Sequence, residues 1–157
     1  MNRYAQEKWS WIEGTHQVRI ELLGELSDAD LRFSPGGSNM TLGGLFRESG
    51  DIEHSYIQSL KTLKQDWSSS NADSGVEDSV ERLKAWFQTL DDEVKATVTG
   101  FSDADLQKTV DRGGYSVPVD MQLDIYLQAQ LIFLGKATVF LRAMNRPLPE
   151  NVQAFIG

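Results

Sequence analysis

The sequence predicts an all-α protein, a four-helix bundle built as a single domain over residues 1–157. Three observations lead there. Four segments carry apolar residues at three- and four-residue steps, the spacing of one helix face. No alternating strand pattern lies between them. The chain has 157 residues, 40% hydrophobic and 24% charged, a composition that supports one packed core and excludes a disordered chain.

The first segment, Tyr4 to Leu26, places Ala5, Trp9, Ile12, His16, Ile20 and Leu23 on one face and ends at Ser27-Asp28. The second follows a near-unbroken stripe from Leu42 through Leu45, Ser49, Ile52, Tyr56, Leu60 and Leu63 to Trp67, with Thr41 as its N-cap. Residues 68–75, SSSNADSG, have nothing to bury and read as a loop. The third segment runs from Val76 to Val98, opened by Ser74-x-x-Glu77 as a capping box and closed by Gly100 at the C′ position. Between it and the fourth, an Arg-Gly-Gly turn joins two short β-prone pieces, the pattern of a short hairpin.

The fourth segment, Asp120 to about Met144, is apolar nearly all round, so it is expected either at the centre of the bundle or in a homodimer face, with Leu134 in that face. Pro147 then breaks the helix before one short terminal turn. Ser27-Asp-Ala-Asp-Leu31 recurs as Ser102-Asp-Ala-Asp-Leu106, each directly after a helix end. Two related helix–loop–helix halves explain this, and so does shared turn chemistry.

The net charge of −8 and the lack of any run of basic residues argue against nucleic acid or an anionic membrane as a partner. There are no cysteines, which removes disulfides, thiolate ligands and thiol nucleophiles together. MNRYAQEKWSW lacks the features of a secretory signal, and no apolar run approaches the ~18 residues of a membrane span, so a cytoplasmic location is expected.

One stretch of the second helix, LFRESGDIEHSYI, concentrates titratable groups. At 100° per residue, His54 and Asp51 fall roughly 160° and 140° from the stripe centre and face water. Glu48 and Glu53 fall roughly 60° to 80° from it, on opposite flanks. Either lines an interhelical cavity or reaches solvent as a boundary residue, the second being the ordinary reading for Glu53. His16 stands in the middle of the first apolar stripe, as a satisfied core residue or as a base or ligand facing a carboxylate, for which Glu48 is the candidate partner.

Thr41-Leu-Gly-Gly-Leu-Phe-Arg-Glu48, followed by Glu53 and Tyr56, resembles the second-helix motif of the DinB/YfiT-like superfamily. Leu134-Gly135-Lys136, Phe140-Leu141-Arg142 and Arg146-Pro-Leu-Pro-Glu150 resemble its fourth-helix ending, and the likeness spans essentially the whole chain. The resemblance implies an up-down-down-up bundle with a long first crossover, and frequent homodimers. It also implies a divalent ion, zinc or nickel, held by one histidine on the second helix and an HxxxH pair on the fourth, used in thiol-dependent transferase or isomerase chemistry. Carried over by position, those ligands fall on Glu48, Ala129 and Phe133. A methyl and a phenyl group have no lone pair to offer, so the expected cofactor is none.

Three functions follow as expectations. The first is a metal-independent protein whose former metal cavity is a pocket for a small apolar ligand, lined by His16, Glu48, Ile52, Tyr56, Tyr126, Ala129 and Phe133. The second is a zinc- or nickel-dependent transferase or hydrolase using His16 and Glu48. The third is a purely structural or interaction homodimer. The residues by themselves establish no activity.

Overall fold

The computed structural model describes residues 1–156, the side chain of Ile156 excepted. Six helices follow one another, α1 (Arg3–Glu7), α2 (Trp9–Gly24), α3 (Leu42–Thr62), α4 (Val80–Gly100), α5 (Val119–Ala143) and α6 (Glu150–Ile156). A two-stranded antiparallel hairpin, β1 (Thr109–Asp111) and β2 (Ser116–Pro118), precedes α5 and turns at Arg112-Gly113-Gly114, as the sequence suggested. The four long helices share one core, with α3 packed on α4 and α5, and α2 on the same two.

The first predicted helix is split at Lys8 into α1 and α2. Asn2 fixes the start: its carbonyl oxygen accepts from Ala5 N at 2.9 Å while its amide donates to Val98 O at 2.7 Å and Phe101 O at 3.0 Å. The N-terminus is thereby pinned to the end of α4, and the orphan donors of a first helical turn gain a partner.

Thr41 caps α3 as expected, its Oγ1 accepting from Gly44 N at 3.0 Å. The helix stops at Thr62, five residues short of Trp67, because Leu63 turns left-handed at φ 58°. Beyond it the backbone pairs with β1, through Asp111 N to Leu63 O at 2.9 Å and Gln65 N to Asp111 O at 2.8 Å. Strand-like pairing has replaced the next helical turn.

The capping box expected at Ser74 does not form. Residues 76–78 make a one-turn 3-10 helix, and Ser79 caps α4 instead. Glu77, which the box required to fold back, instead accepts from Arg47 Nη1 on α3, its Oε2 at 3.1 Å. Gly100 is the last helical residue and not a left-handed C′ glycine; Phe101 simply leaves in extended conformation.

The repeated SDADL pieces adopt the same structure. Asp30 Oδ2 accepts from Ser27 N at 2.8 Å and Ser27 Oγ at 3.0 Å; Asp105 Oδ2 accepts from Ser102 N at 2.8 Å and Ser102 Oγ at 2.7 Å. Each then makes one 3-10 turn and buries its leucine, Leu31 or Leu106.

α5 is not covered on every side. Leu134 points into the core at 1% exposure, so it does not belong to a dimer face, whereas Ile132 and Val139 are 60% and 59% exposed. No helix among the described residues is long and apolar enough to cross a membrane.

Candidate functional site

Two places in the bundle carry chemistry. The first is a buried polar network centred on Arg19, which α2 points into the interior. Its Nη1 donates to Glu53 Oε2 on α3 at 2.5 Å and to Gln130 Oε1 on α5 at 3.2 Å, and its Nη2 donates to Asp91 Oδ1 on α4. The guanidinium also stacks on Phe87, 3.9 Å from the ring centre. One turn earlier on α2, His16 Nε2 lies 2.7 Å from the Tyr126 hydroxyl, which donates to Glu53 Oε1 at 2.8 Å. His16 Nδ1 lies 3.1 Å from Asp91 Oδ1. All four long helices therefore contribute to one cluster.

Burial and mutual charge set the protonation of its members. Burial lowers His16, against the opposing pull of Glu53, to about 4. Burial raises Asp91 to about 7, with Arg19 opposing and Glu53 reinforcing the shift. Burial also disfavours the charged forms of Glu53 and Arg19, yet each more than compensates the other: the carboxylate is held below its usual range and the guanidinium above. Tyr126 is pushed well up, first by burial and then by Glu53, so it stays a hydrogen-bond donor.

His16, Glu53 and Asp91 have ligand atoms within 4.8 Å of one another, a spacing that suits a metal ion. The Arg19 guanidinium already supplies the positive charge between both carboxylates. The cluster is closed toward α5 but open toward solvent between α2 and α4, where a cleft of about 230 Å³ has His16 and Asp91 in its floor and Trp9, Glu13, Gln88 and Lys95 among its walls.

The second place is a cavity of about 170 Å³ between α3 and α5, with Leu45, Ile52, Ala129, Ile132 and Phe133 as apolar walls and Glu48, Ser49, Gln130 and Lys136 as polar ones. At its edge Lys136 Nζ lies 3.6 Å from Glu48 Oε2. Of the residues the sequence singled out, Glu48, Ile52, Ala129 and Phe133 meet here. His16 and Tyr126 belong to the Arg19 network, and Tyr56 is core, with its ring 5.5 Å from those of Tyr126 and Trp67. Glu48 and His16 do not pair: Glu48 lies beside Lys136 and His16 is bonded to Tyr126, both partners being on α5.

The family model described as DinB superfamily matches residues 12–130. The chain belongs to the DinB superfamily. Solved structures agree on the fold. A DinB-like protein of Bacillus subtilis superposes with a TM-score of 0.73 at 16% identity, covering 90% of this chain and 95% of its own. One from Bacillus cereus gives 0.71 at 19% identity, covering 92% of this chain and 93% of its own. No curated protein sequence matches.

The metal set that the superfamily resemblance implied does not fit this DinB protein. Of Glu48, Ala129 and Phe133 only Glu48 carries a donor, and an ammonium group stands beside it. Sequence reasoning missed Arg19, Asp91 and the burial of Glu53, which is 0% exposed and not a boundary residue. A signal was present: Arg19 lies about 20° from Ile12 on the helix wheel, and Asp91 about 40° from Phe87, both inside apolar stripes. Each charge is tolerated there because the other faces it.

Proposed function

We propose that this is a cytoplasmic, metal-independent DinB protein, a four-helix bundle of up-down-down-up course, that binds a small apolar ligand between α3 and α5. One observation supports this reading above others: the three positions that match the superfamily's ligands surround a cavity of about 170 Å³ instead of an ion-binding donor set. Cavities of about 150 Å³ admit a benzene-sized guest. The walls favour a compact apolar body, and the Lys136 ammonium beside Glu48 offers a donor to one acceptor group on it. Titrating zinc and nickel calorimetrically into protein purified without a metal-affinity tag should give no saturable heat. A nuclear magnetic resonance screen of small aromatic carboxylates should move signals of Ile52, Ala129 and Phe133. Stoichiometric metal binding, or a screen in which those signals never move, overturns the reading.

A homodimer through α5 is the second reading. Ile132 and Val139 stand two helical turns apart with more than half of each in water, an unusual cost for a helix this apolar unless a partner covers it. Changing both to glutamate should shift the gel-filtration elution toward a smaller species, and unchanged elution removes this interface.

A further inference from the structure

The inner wall of the α3/α5 cavity carries two polar side chains with nothing to bond. Gln130 is 2% exposed, and its amide is oriented from behind. Arg19 Nη1 can only donate, so the atom it meets at 3.2 Å is Oε1, and the nitrogen is the atom left for the cavity. Both hydrogens on Nε2 lack an acceptor among the described residues. Ser49, 4% exposed, stands one turn before Glu53 on the same face of α3. A helical serine commonly bonds a carbonyl of the turn before it, as Ser59 does to Tyr56 O at 2.7 Å. Ser49 Oγ has no such partner among the described residues. Neither atom is sealed in the protein, as Trp9 Nε1 and Arg19 Nε are; both side chains line the cavity.

We propose, on the reading that this cavity is the binding site, that it takes a small uncharged carbonyl compound whose oxygen accepts from Gln130 Nε2–H and Ser49 Oγ–H. A carbonyl oxygen has two lone pairs and no hydrogen of its own, which matches two donors on facing helices. A hydrocarbon guest covers both donors and pairs neither, and an unmade buried hydrogen bond costs more than a made one gains. The Arg19 network thus has a second effect: by holding Oε1 it presents the amide hydrogens of Gln130 to the guest.

Charge decides between a carbonyl and a carboxylate at the inner wall. Arg19 is already matched by Glu53, and Lys136 stands at the cavity edge 3.6 Å from Glu48. A carboxylate beside Gln130 and Ser49 would therefore be a buried charge with no counterion of its own. Size sets the rest of the guest. The cavity of about 170 Å³ is slightly larger than one that admits benzene, so a single ring with a short carbonyl substituent fits between Leu45, Ile52, Ala129 and Phe133.

Acetophenone, ethylbenzene and benzoate share one ring and differ in the group it carries. In nuclear magnetic resonance titrations each should move the signals of Ile52, Ala129 and Phe133. Acetophenone alone should move the side-chain amide protons of Gln130 downfield, and the carbonyl stretch of bound carbon-13 acetophenone should lie below its frequency in hexane. Ser49→Ala removes one donor with little change of shape, and it should weaken acetophenone about three- to tenfold, the range of one neutral hydrogen bond. Ethylbenzene needs no donor and benzoate meets Lys136 at the edge, so both should keep their affinity in the variant. If ketone and hydrocarbon respond alike to Ser49→Ala, or if the Gln130 amide ignores the ketone, the proposal is overturned while the cavity remains a binding site. Benzoate weakened as much as the ketone would overturn the preference for an uncharged guest. If none of the three moves the Ile52, Ala129 and Phe133 signals, the cavity is not the binding site and the proposal falls with it.

Discussion

Arg19 and Glu53 are each fully buried and meet at 2.5 Å in the middle of the bundle, joining α2 to α3 across its interior. Removing one partner strands the other as an isolated charge in the core, at a cost of about 3–5 kcal/mol. Arg19→Met and Glu53→Gln should each lower the denaturation midpoint strongly. The double variant, with no charge of the pair left, should recover part of the loss, though Asp91 still lacks its Arg19 donor. Chemical denaturation of the four proteins measures the coupling, and strictly additive losses would show that the pair acts as two independent residues.

The His16–Asp91 pair makes an unusual prediction for stability against pH. Asp91 is raised from 3.8 to about 7, so its contribution is present at low pH and is lost as pH rises through that window. His16 is lowered from 6.5 to about 4, so its contribution is present above 6.5 and is lost as pH falls toward 4. Between about 4 and 6.5 the unfolded chain holds one proton on His16 and the folded chain holds one on Asp91. The two slopes cancel.

Single variants should unmask them with opposite sign. In Asp91→Asn the pH dependence of the histidine remains, and stability should rise from about pH 4 to 6.5. In His16→Gln that of the carboxyl remains, and stability should fall from about pH 4 to 7. Urea midpoints across this range check both. Parallel slopes in the two variants would mean that the residues do not share one proton inventory.

These electrostatics also explain what the sequence revealed and what it hid. Thr41, the Arg112-Gly113-Gly114 turn and the SDADL pieces act through neighbours in the chain, so their structures could be read locally. The end of α3 could not, because Leu63 and Gln65 answer to Asp111, far along the chain. The same holds for Glu77, drawn to Arg47 and away from Ser74. Positional resemblance brought Glu48, Ala129 and Phe133 to one cavity, but it is silent about Arg19 and Asp91, whose burial is intelligible only as a pair on two facing helices. A wheel drawn for one helix counts such residues as misplaced.

The close contact of α3 with the turn before α4 depends on a missing side chain. A Cβ at Gly43 would lie 2.0 Å from the Glu77 carbonyl oxygen and 3.2 Å from that of Leu31, both backbone atoms that no rotamer change can move. Gly43→Ala should therefore displace the 3-10 turn at Val76–Asp78 and cost about 2 kcal/mol or more, despite the gain in helix propensity. Gly44→Ala, where the nearest atom is the Thr41 hydroxyl at 3.2 Å, should cost less. Thermal melts of the two variants test the ranking, and equal melting temperatures would contradict it.

Side chains alone should be enough to install a metal site between α3 and α5. Ala129 and Phe133 are one turn apart on α5 and share the cavity with Glu48, so histidines at both positions would aim two imidazoles at the carboxylate. The Lys136 ammonium would compete with the ion and must go as well. The triple change Ala129→His, Phe133→His and Lys136→Ala should bind zinc saturably, one ion per chain. Phe133 packs 5.1 Å from Phe46, ring centre to ring centre, so its removal should cost on the order of 2 kcal/mol without metal. Zinc should return that stability in proportion to its affinity, since it binds only the folded chain. Calorimetry with zinc, and melting with and without it, read the two effects separately. A triple variant that folds but ignores zinc would mean that Glu48 does not stand at the ligand level of α5.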